Sequence, residues 1–172
     1  MRLRNKILIG VGAVLVVGIS ALMITLSYDT PCPPTPALAA GVESMNAITH
    51  RCYGPAGKVL ALERIAKPKP TDHQVLIKVH AASVNPYEWH GITGKPYVMR
   101  LATGVGAPDR FRVGYDMAGT IEAVGAKVTR FKVGDEVFGG ASGALAEYAV
   151  ASDDGDIVLK PLTCLSKMRR PS

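Results

Sequence analysis

The sequence is poor in aromatic residues and in cysteine, and it lacks the metal and disulfide patterns that cysteine builds. Aromatic side chains make up 6% of the 172 residues. Cysteine occurs three times, at positions 32, 52 and 164, without a Cys-x-x-Cys spacing. An odd number of unclustered cysteines indicates neither a disulfide framework nor a zinc knuckle.

The sequence also lacks the glycine-rich motif that binds dinucleotides. In Rossmann domains, G-x-G-x-x-G follows a strand and opens a helix. Gly10-Val11-Gly12 is followed by Leu15 at the third glycine position, and Gly104-Val105-Gly106 is followed there by Asp109. We therefore predict that a Rossmann cofactor domain is absent from these residues.

The net charge of +6 does not belong to the body of the chain. Three basic residues lie within 2–6 and three within 167–170, and neither segment contains an acidic residue. Without these six of the 20 basic residues, 14 remain and balance the 14 acidic residues. A neutral body lacks the basic surface that phosphate binding needs, so we predict no nucleic-acid partner.

What the chain does have is an uncharged apolar run over residues 7–26, which at about 20 residues can cross a bilayer as a helix. We predict a single-pass membrane anchor over 1–27. The alternatives are a cleaved signal peptide, with Ala37-Leu38-Ala39 as the cleavage pattern, and a buried core helix. The basic residues before the run predict a cytoplasmic N-terminus, with the rest of the chain on the far side of the membrane. The membrane side of the domain is left open.

The remaining chain divides by composition into three parts. Four prolines between positions 31 and 36 predict an extended Pro-rich linker over 28–44. Residues 45–166 are predicted to form the folded domain. Residues 167–172 contain three basic residues and a proline, which indicates an atypical, truncated tail.

The folded domain has the pattern of short strands joined by turns. The clearest strand is 74–84, in which Val75, Ile77 and Val79 alternate with polar residues. A helical turn is predicted over 85–90 and a long functional loop over 93–112. The other strands are predicted at 45–53, 58–65, 117–124, 136–138, 145–151 and 157–160. This predicts a mainly β fold, a partly open barrel with short helices.

Six short motifs in a fixed order then carry a family resemblance. They are Val75-Leu76-Ile77-Lys78-Val79, Ala82-Ser83-Val84-Asn85-Pro86, Gly114-Tyr115-Asp116-Met117-Ala118-Gly119, Val124-Gly125, Phe131-x-x-Gly134-Asp135-Glu136-Val137 and Gly143-Ala144-Leu145-Ala146-Glu147-Tyr148. This series resembles the medium-chain dehydrogenase/reductase superfamily, in its zinc-independent quinone-oxidoreductase-like branch. The resemblance implies a GroES-like barrel as catalytic domain. It also implies that the full-length protein reduces a small-molecule carbonyl or quinone with NADPH.

The same resemblance implies two site residues. In the family, the Asn of the Val-Asn-Pro motif lies beside the nicotinamide, so Asn85 is predicted to be catalytic and cofactor-binding. Tyr87 is a looser catalytic candidate, as a donor to a substrate oxygen. For Tyr87 and Trp89, packing under the long loop is the alternative.

The resemblance also implies that no metal is bound. Asn85 and Tyr115 stand where zinc-dependent relatives have cysteine and histidine. His90 and Asp116 remain as scattered candidates, and Asp116 is better explained as a cap of its turn. The other histidines, at 50, 73 and 80, have no partner pattern and are predicted to lie on the surface.

Three functions remain open at this point. The first is the N-terminal catalytic-domain fragment of an NADPH-dependent oxidoreductase, which we expect to be inactive alone because the hydride donor has no pocket. The second is a membrane-anchored, non-catalytic binding module. The third is a non-functional truncation product with an exposed apolar face.

Overall fold

The computed structural model describes residues 2–161, with side chains from residue 7 onward. Its α-helices are Arg2–Ser27 (α1), Ala56–Val59 (α2), Pro86–Thr93 (α3) and Arg100–Thr103 (α4), and a 3-10 turn over Tyr97–Met99 precedes α4. Its strands are Ser44–His50 (β1), Leu60–Ala66 (β2), Gln74–Ala82 (β3), Asp116–Val124 (β4), Glu136–Gly140 (β5), Tyr148–Ser152 (β6) and Ile157–Leu159 (β7). Cys164 and the tail predicted at 167–172 lie outside the described residues.

The chain forms two compact units. Unit 1 holds the chain up to Pro33 together with Arg51–Val59 and Trp89–Arg110. Unit 2 holds Pro34–His50, Leu60–Glu88 and the described chain from Phe111 onward. The segment predicted as a linker over 28–44 is thus divided between the two units.

Five strands of unit 2 form one antiparallel sheet in the order β6-β3-β4-β5-β7. Its centre aligns Ile77 of β3 with Ile121 of β4 on one side and with Ala149 of β6 on the other. Register shifts in β3, before Ile77 and between Val79 and Ala81, increase the local twist. The sheet is a curled, open half-barrel, and the prediction of a mainly β fold with short helices is confirmed.

The core of unit 2 lies on one face of this sheet. Successive side chains of a strand point to opposite faces, so apolar residues at every second position are buried together. The buried side chains of this core are Val75, Ile77, Met117, Ile121, Phe131, Val137, Ala141, Ala144, Ala149, Ala151 and Ile157.

Gly119 lies where β3 and β4 approach closely, since a Cβ there would be 2.3 Å from the Lys78 carbonyl oxygen.

Strands β1 and β2 form a second, two-stranded antiparallel sheet in unit 2. Met45, Ala47 and Ile65 bury a small apolar cluster against Ala146 and Tyr148. Ala47 also forms an isolated β-bridge with Ala146, which precedes β6. The small sheet is therefore joined to the half-barrel by packing, by this bridge and by polar contacts such as the hydrogen bonds of Asn46 with Glu147.

In unit 1, the long helix α1 is exposed along its apolar length. Every described side chain from Ile7 to Thr25 is exposed, and Leu26 is the first that is buried. Within the described residues, Ile7–Ser27 is the one helix long and apolar enough to cross a membrane, a test that a signal sequence also passes. The membrane span, the signal sequence and the buried core helix therefore all stay predictions.

Other details differ from the sequence predictions. The strand predicted from residue 58 begins at Leu60, because Ala56–Val59 is helical. The loop predicted over 93–112 contains the 3-10 turn and α4. His50 was predicted at the surface but is buried at the end of β1, where its backbone N–H donates to the Phe111 carbonyl at 2.8 Å.

The expectation that cysteine forms no disulfide was wrong. Cys32 and Cys52 are paired within unit 1, with Cα atoms 4.9 Å apart across 20 residues of sequence. Separations of this size are typical of disulfides. The pairing depends on how unit 1 folds residues 51–59 back onto the segment after α1, which sequence spacing does not reveal.

Candidate functional site

Asn85 forms the N-terminal cap of α3. Its Oδ1 accepts from the backbone N–H of Tyr87 at 2.8 Å, and its own backbone N–H donates to Glu88 Oε2 at 2.9 Å. The bond from the Glu88 side chain back to the cap residue is half of a capping box, and the cap side chain accepts from the second helical N–H rather than the third. Pro86 takes the first helical position, where its missing N–H has no intrahelical role. The helical turn predicted over 85–90 is therefore confirmed, as part of α3.

Asp116 fixes the orientation of the Asn85 amide. Asn85 Nδ2 donates to Asp116 Oδ2 at 2.7 Å, and Ser83 Oγ donates to the same oxygen at 3.4 Å. Asn85 follows β3 and Asp116 begins β4, and these strands pair up to Ala82 and Met117. The Asp116 side chain thus joins two elements, a role that the predicted turn cap did not include.

The Asn85 amide keeps hydrogen-bonding capacity after these contacts. A side-chain amide has two N–H donors and two acceptor lone pairs on its oxygen. One donor is used by Asp116 and one lone pair by the Tyr87 N–H. One donor and one acceptor therefore remain on a side chain that is partly exposed. This pair is complementary to a carboxamide, which also offers one donor side and one acceptor side.

Tyr87 and Trp89 are exposed rather than packed. The Tyr87 side chain is 58% exposed, and no residue of the described part hydrogen-bonds its hydroxyl. Trp89, in unit 1, is 52% exposed and meets the His90 ring edge-on at a centroid distance of 5.0 Å. Both side chains are therefore exposed, and the choice between a site role and packing stays a prediction.

Tyr115 and Asp156 form a second polar pair in unit 2. The Tyr115 hydroxyl donates to Asp156 Oδ2 at 2.6 Å, and this bond raises the pKa of Tyr115 above its ordinary value. The ring lies against Gly140, where a Cβ would be 2.3 Å from Tyr115 Cε1. Tyr115 is therefore a neutral phenol held in place.

Within residues 7–161, no three His, Cys, Asp or Glu side chains converge as metal ligands.

Three contacts of the site were missed in the sequence. The bond between Glu88 and the start of α3 has a local signal, Asn85 followed three residues later by Glu88. The bond to Asp116 spans 31 residues, so no local pattern could reveal it. The pairing of Tyr115 with Asp156 is hidden for the same reason.

Comparisons with known proteins agree with this architecture. The model of the alcohol dehydrogenase GroES-like domain family matches residues 71–161. Quinone oxidoreductase of Sus scrofa is 40% identical over 119 residues, 68% of this chain and 34% of the relative. Quinone oxidoreductase of Homo sapiens is 41% identical over 118 residues, 67% of this chain and 34% of the relative. The chain thus spans about a third of the length of these relatives.

Solved structures give the same result. The quinone oxidoreductase from Coxiella burnetii superimposes with a TM-score of 0.59 at 34% identity, over 70% of this chain and 38% of that one. A mycobacterial protein solved in complex with NADPH gives a TM-score of 0.58 at 30% identity, over 70% of this chain and 35% of that one. The motif order, the curled sheet and these likenesses agree, and the chain belongs to the medium-chain dehydrogenase/reductase superfamily through its alcohol dehydrogenase GroES-like domain.

Proposed function

We propose that the full-length protein reduces a quinone, an enone or a similar small carbonyl compound with NADPH. Residues 45–166 would form its catalytic domain, and a cofactor domain outside these 172 residues would hold NADPH. Two facts favour this division. The chain matches only about a third of the relatives named above, and its sequence contains no G-x-G-x-x-G motif.

The hydrogen bond from Asn85 to Asp116 carries the proposal. It fixes the amide at the end of β3 and leaves one donor and one acceptor of Asn85 available. These two groups suit the carboxamide of a nicotinamide ring, whose orientation decides which face transfers hydride. We therefore assign Asn85 to nicotinamide positioning and Asp116 to holding Asn85.

The substrate side of the reaction needs a hydrogen-bond donor. When bound, the cofactor supplies a hydride, and the reduced acceptor also takes up one proton. An oxygen that gains negative charge is stabilised by a preorganised donor. The exposed Tyr87 hydroxyl is free to take this role. Since Tyr115 already donates to Asp156, Tyr87 is the better candidate of the two.

We further propose that α1 anchors the protein in a membrane, with residues 34–44 leading from the anchor unit to β1. Every described side chain of α1 from Ile7 to Thr25 is exposed, and exposure of apolar side chains to water has a free-energy cost that a bilayer removes. The membrane side of the body stays open, because the basic residues before the helix predict a cytoplasmic N-terminus, whereas NADPH is a cytosolic cofactor.

The test is NADPH oxidation by the native-length protein, isolated from its own membranes, with a quinone as acceptor. We expect saturable oxidation that depends on both NADPH and the quinone. The 172-residue chain alone is expected to show no turnover. A native-length protein that neither binds NADPH nor reduces a quinone contradicts the proposal. Capture of a protein partner without NADPH would then support a binding module, and aggregation would support a truncation product.

A further inference from the structure

The C-terminal end of helix α1 is fixed to the rest of unit 1 by a buried arginine, Arg100. Arg100 Nη1 donates to the carbonyl oxygens of Leu26 at 2.9 Å and Tyr28 at 3.0 Å. Arg100 Nη2 lies 2.7 Å from Asp29 Oδ1, and Nε donates to the Gly94 carbonyl at 3.0 Å. The last carbonyls of a helix lack intrahelical partners, so the guanidinium satisfies groups that would otherwise need water.

Further contacts continue this attachment beyond the helix. The backbone N–H and the hydroxyl of Thr30 both donate to the Gly106 carbonyl, at 2.9 and 3.0 Å. The guanidinium of Arg100 also lies 4.3 Å from the ring centre of Tyr53 and 4.9 Å from that of Tyr97. Residues 26–30 and 94–106 therefore form one rigid cluster inside unit 1.

This cluster presents apolar side chains to the outside beside the end of α1. Val98, Leu101 and Val105 are 61%, 63% and 52% exposed, and Tyr28 is 62% exposed. Val98 and Leu101 lie within two residues of Arg100, which bonds the last turn of α1. The 3-10 turn that contains Val98 also contacts α1, so these side chains lie near that turn of the helix. We call Val98, Leu101 and Val105, with Tyr28, the collar.

We propose that the collar lies in the interfacial layer of the membrane that α1 crosses, so that unit 1 contacts the bilayer directly. The inference rests on the proposed membrane anchor. The argument is continuity: a helix that crosses the bilayer over Ile7–Ser27 brings its last turn to the membrane boundary. Residues bonded to that turn then lie at the depth where apolar and tyrosine side chains are favoured.

The chemistry of the collar suits this depth. Each of the aliphatic side chains gains free energy when its exposed surface leaves water. The positive charge of Arg100 is 1% exposed and already paired with Asp29 and three carbonyl oxygens, so it does not oppose the approach. The consequence for function is that unit 1 is held at the membrane surface, where lipophilic quinones concentrate.

The experiment uses the full chain in phosphatidylcholine vesicles, with Cys164→Ser so that no label attaches at position 164. One environment-sensitive fluorophore is attached at Leu101→Cys, and separate samples carry it at Val16→Cys and Lys58→Cys. Lipids that carry a spin label near the headgroup or deep in the acyl chain quench fluorophores at those depths. Val16 lies mid-way along α1, and Lys58 is an exposed polar position of the same unit.

We expect the label at position 101 to be quenched by the shallow spin label, several-fold more than the label at position 58. The label at position 16 is expected to be quenched by the deep spin label, which reports insertion of α1. Quenching at 16 but not at 101, or equal quenching at 101 and 58, overturns the collar and leaves the anchor intact. Failure at position 16 overturns both. Self-quenching at position 101 that depends on protein density would assign the collar to a second copy and overturn the lipid contact.

Discussion

At the residue scale, a few side chains form hydrogen bonds that hold distant segments of the chain together. Arg100 is the clearest, because a buried guanidinium with four oxygen partners orders residues that are far apart in sequence. Asn85 has a comparable position at the start of α3. The partners of both side chains include residues that are distant in sequence. The sequence therefore identified Asn85 only through its motif, and it gave no signal for Arg100.

Replacement of Arg100 by methionine should destabilise unit 1 by roughly 2–4 kcal/mol, because buried carbonyl groups lose their donor. The only tryptophan of the chain, Trp89, lies in this unit and reports its unfolding by fluorescence. Arg110→Met is the control, since Arg110 is an exposed residue of the same unit and surface substitutions change stability little. An unfolding midpoint that Arg100→Met leaves unchanged would contradict the role of the arginine.

The cysteine pair gives a second prediction at this scale. Peptide mapping without reductant should find the peptides of Cys32 and Cys52 linked, and neither thiol should react with maleimide before reduction. Reduction should lower the stability of unit 1. Without the disulfide, the unfolded chain between Cys32 and Cys52 is no longer a closed loop and has higher conformational entropy. Reactive thiols at both positions in protein taken directly from membranes would refute the pairing.

At the scale of elements, the close contact of β3 with β4 sets a limit on side-chain size. Gly119→Ala should destabilise unit 2 by about 1–3 kcal/mol, because the new Cβ meets the Lys78 carbonyl oxygen at 2.3 Å. Gly155→Ala is the matched control in the same unit, since its Cβ approaches nothing closer than the Ser152 carbonyl oxygen at 3.2 Å. Urea unfolding followed by far-ultraviolet circular dichroism measures both. Equal midpoints for the two variants would show that the strands can separate at no cost.

An ion-pair cluster connects the end of β2 to β4. The Lys67 ammonium donates to Glu43 Oε1 at 2.9 Å and to Glu122 Oε1 at 2.6 Å, and lies 4.0 Å from the ring centre of Tyr148. The bond from Lys67 lowers the pKa of Glu122 below its ordinary value. Such a carboxylate stabilises the fold above its unfolded pKa of about 4.3, and this contribution disappears as pH falls through the lower folded pKa.

Lys67→Met should therefore reduce the loss of stability on acidification below about pH 4.3, relative to the unchanged protein. Thermal unfolding at a series of pH values between neutral and strongly acid measures the difference. Lys127→Met is the control, because the Lys127–Asp72 pair is more than 60% exposed on both sides. Parallel pH curves for Lys67→Met and the unchanged protein would exclude the effect.

The elements also show what the sequence could predict. Alternation in β3 and glycine-containing turns placed the strands of the half-barrel within a few residues, because period-two burial is a local property. The helix at Ala56–Val59 and the 3-10 turn at Tyr97–Met99 were missed, since short helices depend on tertiary contacts more than on pattern. For the site, the Val-Asn-Pro motif named Asn85, but its partner Asp116 required the structure.

At the scale of the whole molecule, an apolar helix, a rigid unit at its end and a GroES-like half-barrel belong to one chain. The family was predicted from six ordered motifs and is confirmed by the domain match over 71–161. The disulfide and the Arg100 cluster were not predicted, because both join segments that are adjacent only after folding. The proposed activity gives each part a role. Helix α1 and its unit bring the protein to a membrane that contains a lipophilic acceptor, and Asn85 of the half-barrel positions the nicotinamide.

The most direct test of this central claim compares Asn85→Ser with Asn85→Ala in the native-length protein, by kcat/KM for NADPH with a quinone acceptor. Serine keeps the helix cap and removes the amide, whereas alanine removes both and should cost about 1 kcal/mol more in stability. Both variants are predicted to lose about tenfold or more in kcat/KM, which corresponds to about 1.4 kcal/mol, while the thermal midpoint falls further for alanine than for serine. If Asn85→Ser keeps full activity, Asn85 is a cap and nothing more, and the assignment of the site is wrong.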